Sequence, residues 1–187
     1  RELLSNKYSL DMEHIICGSG SDELISLLCR SYAGPGDEIL HSAHGFAMYP
    51  IYGRTVGANI VSAAENDITI NVDNMLAAVT DKTKLVFIAN PNNPTGTYLP
   101  ENQLLRLHEG IPDHVLLVID SAYAEYVGEG DYSVGINLVR TNKNVAMLRT
   151  FSKIYGLGGV RLGCGSFSQE VASILNRMRN PFNVSYP

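Results

Sequence analysis

Short, continuous apolar runs alternate along this chain with segments of helical periodicity. Leu85–Ala89 and Val115–Ile119 are the clearest runs, five residues each, and each ends abruptly in polar residues. Runs of this length bounded by turn residues read as strands buried on both faces. Further strands are expected over 14–17, 38–41, 59–62, 145–148 and 162–167. Helices are expected over 22–32, 48–56, 72–79 and 169–179, and one from Pro100 to Gly110. Proline suits a first helical position, and Gly34-Pro35-Gly36 is a natural stop. Residues 126–144, with Gly128, Gly130 and Gly135, read as an irregular surface connection. Strands alternating with helices imply an α/β fold, a three-layer α/β/α arrangement around a mostly parallel sheet. No internal repeat is evident.

Composition narrows the function. The 187 residues are 45% hydrophobic and 18% charged, which is globular rather than disordered. A net charge of -5 argues against a nucleic-acid duplex as partner, since phosphate binding favours a basic surface. Three scattered cysteines, Cys17, Cys29 and Cys164, suit neither a disulfide framework nor a zinc cluster. They fit small buried hydrophobes in a reducing, cytoplasmic compartment. No apolar run approaches the roughly 20 residues of a spanning helix, so no membrane partner is expected, and no metal site either. The chain opens on Arg1 rather than Met and stops at Pro187, and both ends read as cuts in a longer protein.

In open α/β sheets the ligand site lies beyond the carboxyl ends of the strands. Four polar segments fall at such ends: Gly18–Asp22, Asn90–Gly96, Asp120–Tyr123 and Thr150–Arg161. They are therefore expected to converge on one crevice.

Three of these segments carry a resemblance. Thr150-Phe151-Ser152-Lys153, followed by glycines and Arg161, is similar to the lysine motif of fold-type I, pyridoxal phosphate (PLP)-dependent aminotransferases of class I/II. Asn93-Pro94-Thr95-Gly96 resembles that family's Asn-Pro-Thr-Gly signature, and Asp120-Ser121-Ala122-Tyr123 its Asp-Glu-Ala-Tyr segment. The order and intervals agree as well. Gly18-Ser19-Gly20-Ser21-Asp22-Glu23 and Asn180–Ser185 resemble the histidinol-phosphate aminotransferase branch. The resemblance covers nearly the whole chain and implies one PLP-binding large domain over 1–187, without the N-terminal arm or the C-terminal small domain.

The resemblance implies roles, and the chemistry of the residue types fits them. Lys153 would hold the cofactor aldehyde as a Schiff base and move a proton; the plainer alternative is a solvated lysine. Asp120 would keep the pyridine nitrogen protonated; otherwise it is a strand-ending aspartate bonded to local backbone. Asn93 and Tyr123 would hydrogen-bond the phenolic oxygen, although Asn before Pro is also a common turn pair. Gly20, Ser21 and Asp22 open a helix whose free N–H groups attract an anion. Ser19 and Asp22 also have the spacing of a capping box, and both readings hold if the Asp22 side chain turns away from the phosphate. Ser152 and Arg161 resemble the family's other phosphate ligands. Phe46 aligns with the aromatic that stacks on the ring, and core packing is its alternative. His44 is at most a supporting residue. Ser121 stands where the family more often has Glu. A strained or cis peptide is implied near Pro94.

The activity implied is transamination between an amino donor and a 2-oxo acid, with histidinol phosphate and 2-oxoglutarate as the first substrate pair. It would belong to amino-acid biosynthesis, specifically histidine biosynthesis, in a cytoplasmic homodimer. Two alternatives stay open: a decarboxylase or carbon–sulfur lyase of the same fold, and the ligand-sensing domain of an aminotransferase-like transcription regulator. The arginine that binds substrate carboxylate in this family has no counterpart here. Neither has the partner-subunit tyrosine that reaches the phosphate. The expectation is a segment that binds PLP but turns over poorly by itself.

Overall fold

The computed structural model describes residues 1–185; Tyr186 and Pro187 lie outside the described residues. The elements run α1 (Glu2–Tyr8), β1 (Ile15–Gly18), α2 (Gly20–Tyr32), β2 (Glu38–Ser42), α3 (Met48–Thr55), β3 (Asn59–Ala63) and α4 (Val72–Ala77). They continue with β4 (Thr83–Ala89), α5 (Glu101–Gly110), β5 (Leu116–Asp120), α6 (Ile136–Thr141), β6 (Val145–Thr150), β7 (Gly163–Ser166) and α7 (Gln169–Met178).

One sheet of seven strands has the order β1-β7-β6-β5-β4-β2-β3. The pairs β6–β5, β5–β4, β4–β2 and β2–β3 are parallel, and β7 is antiparallel to both its neighbours. Helices cover both faces. Leu24, Leu28, Tyr49 and Leu175, from α2, α3 and α7, pack with Leu85, Phe87, Val118 and Leu148. Met75, Leu104, Leu107 and Leu138, from α4, α5 and α6, pack with Val86, Ile88, Leu117 and Met147 on the other face. Alternate residues of each central strand thus supply alternate cores, the period of two expected of a pleated strand. The apolar stretches Leu85–Ala89 of β4, Leu116–Ile119 of β5 and Val145–Leu148 of β6 are buried on both faces.

Every strand read from the sequence forms, with ends shifted by one or two residues. Two helices were not anticipated. The first, α1, buries none of its residues, so it carries no apolar stripe to read. The second, α6, lies inside the segment read as an irregular connection. It has six residues and starts after Gly135 at φ 83°. Pro100 proves to be the cap before α5 rather than its first residue, with an extended ψ of 156°.

Candidate functional site

Strand parity builds the floor of the site. Ala89 shares the face of Leu85 and Phe87, Asp120 that of Leu116 and Val118, and Thr150 that of Ala146 and Leu148. All three end their strands at the same sheet edge, on the side covered by α2 and α3. A cavity of about 210 Å³ opens there. Its lining includes Lys153, Asp120, Tyr123, Asn93 and Phe46 around one part, and Gly20, Ser21, Asp22, Ser152 and Arg161 around another. Four segments distant in sequence thus converge on one crevice. Ala89, Ala122 and Thr150 also line it and were not singled out from the sequence. The two alanines leave open space where larger side chains would intrude.

Asp120 is 5% exposed. Its Oδ1 accepts from the Ala122 N–H at 3.2 Å and its Oδ2 from the Tyr49 hydroxyl at 3.0 Å. Burial pushes its carboxyl up to about 6, against the pull of these two donors and of the Lys153 and Arg149 charges. Sequence reasoning missed Tyr49, because a tyrosine in an apolar helix reads as core, and its partner lies far along the chain.

Lys153 sits on the exposed loop after β6, with Nζ 4.9 Å from the Tyr123 ring centroid, within cation–π range. Behind it, on the opposite sheet face from Thr150, Arg149 pairs with Glu125. Its guanidinium also donates to the Ser121 carbonyl at 3.0 Å, and Tyr155 donates to Glu125 at 2.8 Å. The lysine loop is thereby clipped to the turn after Asp120. Ser121 itself faces away and donates to the Val134 carbonyl at 3.1 Å.

Asn93 is held by a pinned turn. Asn90 donates to the Leu99 carbonyl at 3.1 Å and accepts from its N–H at 2.8 Å. The peptides before Pro91 and Pro94 are both cis. Phe46 takes part in both expected settings: it lines the cavity and packs edge-on to Tyr49, with centroids 5.7 Å apart. His44 turns away to Glu65, Nδ1 to Oε2 at 2.8 Å.

The far end gathers Arg161 and Ser152 beside the start of α2. A Cβ on Gly163 would meet the Ser21 backbone nitrogen at 2.3 Å, so only glycine lets β7 lie against the start of α2. At Gly20, φ is 77° and a Cβ would meet Arg161 Nη2 at 2.7 Å. Arg161 is itself left-handed, at φ 55°, a strained state for a non-glycine residue that collects at functional sites. That conformation brings its guanidinium to the Gly158 carbonyl at 3.0 Å and to Ser152 Oγ at 3.5 Å, beside the helix N-terminus. The capping-box reading is corrected. Ser19 makes no side-chain cap bond. Glu23, not Asp22, reaches back to the Ser19 N–H at 2.6 Å, and Asp22 accepts from Tyr52 at 2.6 Å. The tyrosine draws the Asp22 carboxylate into a hydrogen bond of its own. Glu23 also accepts from Asn183 at 3.0 Å, which ties the 180–185 segment to α2.

A buried carboxylate, an amine above an aromatic ring and an anion cradle at the other end suit a flat, phosphorylated ring with a reactive carbonyl. The chain belongs to the aminotransferase class I and II family, whose sequence profile matches residues 1–187. Curated relatives named histidinol-phosphate aminotransferase match it over almost its whole length. That of Paramagnetospirillum magneticum is 57% identical over 187 residues, covering 100% of this chain and 52% of the relative. That of Rhodospirillum rubrum is 58% identical over 184 residues, 98% of this chain and 50% of the relative. The chain therefore spans about half the length of the curated relatives it matches. Among solved structures, a histidinol-phosphate aminotransferase from Sinorhizobium meliloti in complex with pyridoxal-5'-phosphate superimposes with a TM-score of 0.93. It is 29% identical, over 98% of this chain and 50% of that one. L-threonine-O-3-phosphate decarboxylase from Porphyromonas gingivalis shares the fold, with a TM-score of 0.83 and 21% identity over 99% of this chain and 54% of that one.

Proposed function

We propose that residues 1–187 form the cofactor-binding unit of a PLP-dependent aminotransferase that uses histidinol phosphate and a 2-oxo acid. The observation that carries this reading is the convergence of Lys153, Asp120 and the Arg161 cradle on one cavity. The names of relatives more than half identical to the chain support the substrate. Bound PLP supplies a carbonyl that captures amines and a protonated ring that withdraws electrons from the attached carbon.

The chain's own residues supply the rest. Lys153 would hold the carbonyl through its amine and, as a free amine, would take or give a proton at the substrate carbon. Asp120 would accept the hydrogen bond of the ring nitrogen. Tyr123 and Asn93 would donate to the phenolic oxygen, and Phe46 would cover a ring face. Arg161, Ser152, Ser21 and the N–H groups at Gly20 and Asp22 hold the phosphate, where a helix start and a guanidinium act together. The relatives are about twice as long, so substrate selection is assigned to parts of the whole protein outside this chain. We assign that protein to histidine biosynthesis, as a cytoplasmic homodimer. Among the described residues no helix is long and apolar enough to cross a membrane.

The test is a PLP titration followed by borohydride reduction and peptide mass mapping, with Lys153→Ala as control. A pyridoxyl mass on the Lys153 peptide, lost in the variant, is expected. Label elsewhere, or none in the full-length protein, overturns the reading. In the full-length protein, glutamate should form from 2-oxoglutarate as histidinol phosphate is consumed. Carbon dioxide release instead would favour the decarboxylase reading.

A further inference from the structure

The geometry points to Tyr49 as a positioning residue that fixes the Asp120 carboxyl for the cofactor's ring nitrogen and, through the same ring, backs the aromatic that covers the ring face. This rests on the proposed PLP site. Asp120 is the last residue of β5, paired with Ala89 and Leu148 of the neighbouring strands, and the chain turns directly after it. The Ala122 N–H holds one carboxyl oxygen and the Tyr49 hydroxyl the other, so the two bonds together set the plane of the group.

Tyr49 is in turn immobilised. It is 0% exposed, and its ring stacks on Phe87 of β4, centroids 4.7 Å apart and planes 10° apart. Phe46 meets its edge at 82°. Phe87 and Asp120 lie on adjacent strands with side chains on the same sheet face. A stack on one strand therefore aims a hydroxyl at the end of the next. Phe46 and Asp120 both face the cavity, and Tyr49 touches both. One buried side chain thus sets the distance between the two surfaces that a flat ring must meet.

The hydroxyl also bears on charge. A carboxylate accepts a hydrogen bond more strongly than a carboxylic acid does, so the donor favours the ionised form in a site where burial opposes it. The groups acting on Asp120 are Tyr49 from α3, Arg149 from β6 and Lys153 from the loop after it, while Asp120 in turn bears on Tyr132 from the connection before α6. Burial and the adjacent Asp120 keep the Tyr49 phenol neutral.

The test is Tyr49→Phe, which keeps the ring and its stack and removes the donor. The Asp120 carboxyl is followed by carbon-13 NMR in the cofactor-free chain, assigned by the signal missing from Asp120→Asn. Its midpoint should rise by about one pH unit, a tenfold change in proton affinity. PLP affinity at neutral pH should fall about tenfold, and the substitution should add nothing in an Asp120→Asn background. A merely structural tyrosine would weaken PLP equally in both backgrounds and leave the midpoint in place. Either result overturns the proposal. If Tyr49→Phe does not fold, Phe87→Leu keeps the hydroxyl but frees its ring, and the midpoint should still rise; an unmoved midpoint is equally fatal. An unmoved midpoint with Lys153 still labelled by PLP sinks the Tyr49 role alone. A failure to label Lys153 sinks the PLP reading, and the positioning role with it, whatever the midpoint does.

Discussion

The Lys153 ammonium nitrogen lies 4.9 Å from the centre of the Tyr123 ring. The two residues come from turns after adjacent parallel strands, and the Arg149–Glu125 pair ties those turns together. Tyr123 turns its ring face to the amine, and in the proposed PLP site its hydroxyl would serve the cofactor. Tyr123→Phe keeps the first and loses the second. One hydrogen bond of about 0.5–1.5 kcal/mol corresponds to a roughly 2- to 10-fold weaker PLP dissociation constant. Absorbance titration compares the two proteins, and a phenylalanine variant as tight as wild type would refute the arrangement.

Asp120 gives the cofactor-free chain a specific pH dependence. Its carboxyl titrates near 6 when folded, above its ordinary value of 3.8. The folded chain therefore holds this proton more tightly than the unfolded chain. Its contribution is fully present below about pH 4, is lost as pH rises through 6, and is level beyond. The loss is on the order of 2–3 kcal/mol. Asp120→Asn should thus be more stable than wild type at pH 7.5 in urea unfolding, with the gap narrowing toward pH 5, while binding PLP poorly. A gap that is constant with pH would contradict the assignment.

Arg149 and Glu125 form a largely buried pair, with side chains 9% and 22% exposed. Glu125→Ala leaves the guanidinium without its counter-charge. The expected cost is about 3 kcal/mol, the low end for breaking a buried pair. Calorimetry should register a Tm lowered by about 6–12 °C for a chain of this size. The double variant Glu125→Leu, Arg149→Met should lose less than either single change, because no charge is stranded. Equal or greater loss in the double variant would mean that the pair stabilises beyond its own desolvation.

Arg161 should discriminate between phosphorylated and unphosphorylated cofactor. Removing a charge-assisted contact of about 1.5–3 kcal/mol predicts a roughly 10- to 100-fold loss of PLP affinity in Arg161→Ala. Pyridoxal, which lacks the phosphate, should bind the variant and wild type alike. Parallel titrations settle it, and an equal loss for both ligands would place Arg161 outside the phosphate site.

Much of this architecture was legible because its signals are local. The run Val115–Ile119 reads as a doubly buried strand from its length and its polar bounds, and Asp120 falls at its end. Lys153 and Asn93 stood out because their neighbours form recognisable motifs. Tyr49 carried no such mark, since its chemistry depends on a hydroxyl partner reached only when α3 packs across β4 and β5. Asp22 was misread for the opposite reason. Its spacing from Ser19 fits a local cap, but Tyr52 competes for its carboxylate from another helix.

The sequence by itself determined the strand–helix alternation and the segments that reach the carboxyl edge. These follow from chain periodicity and turn chemistry, which act over a few residues. Only the tertiary structure decided that Tyr49 holds Asp120, that Arg149 ties the lysine loop to Glu125, and that β7 returns antiparallel close enough for Gly163 to touch Ser21. Such contacts depend on which strands become neighbours and how closely helices settle on them. Those distances are set by the packing of the whole core, and no local pattern records them.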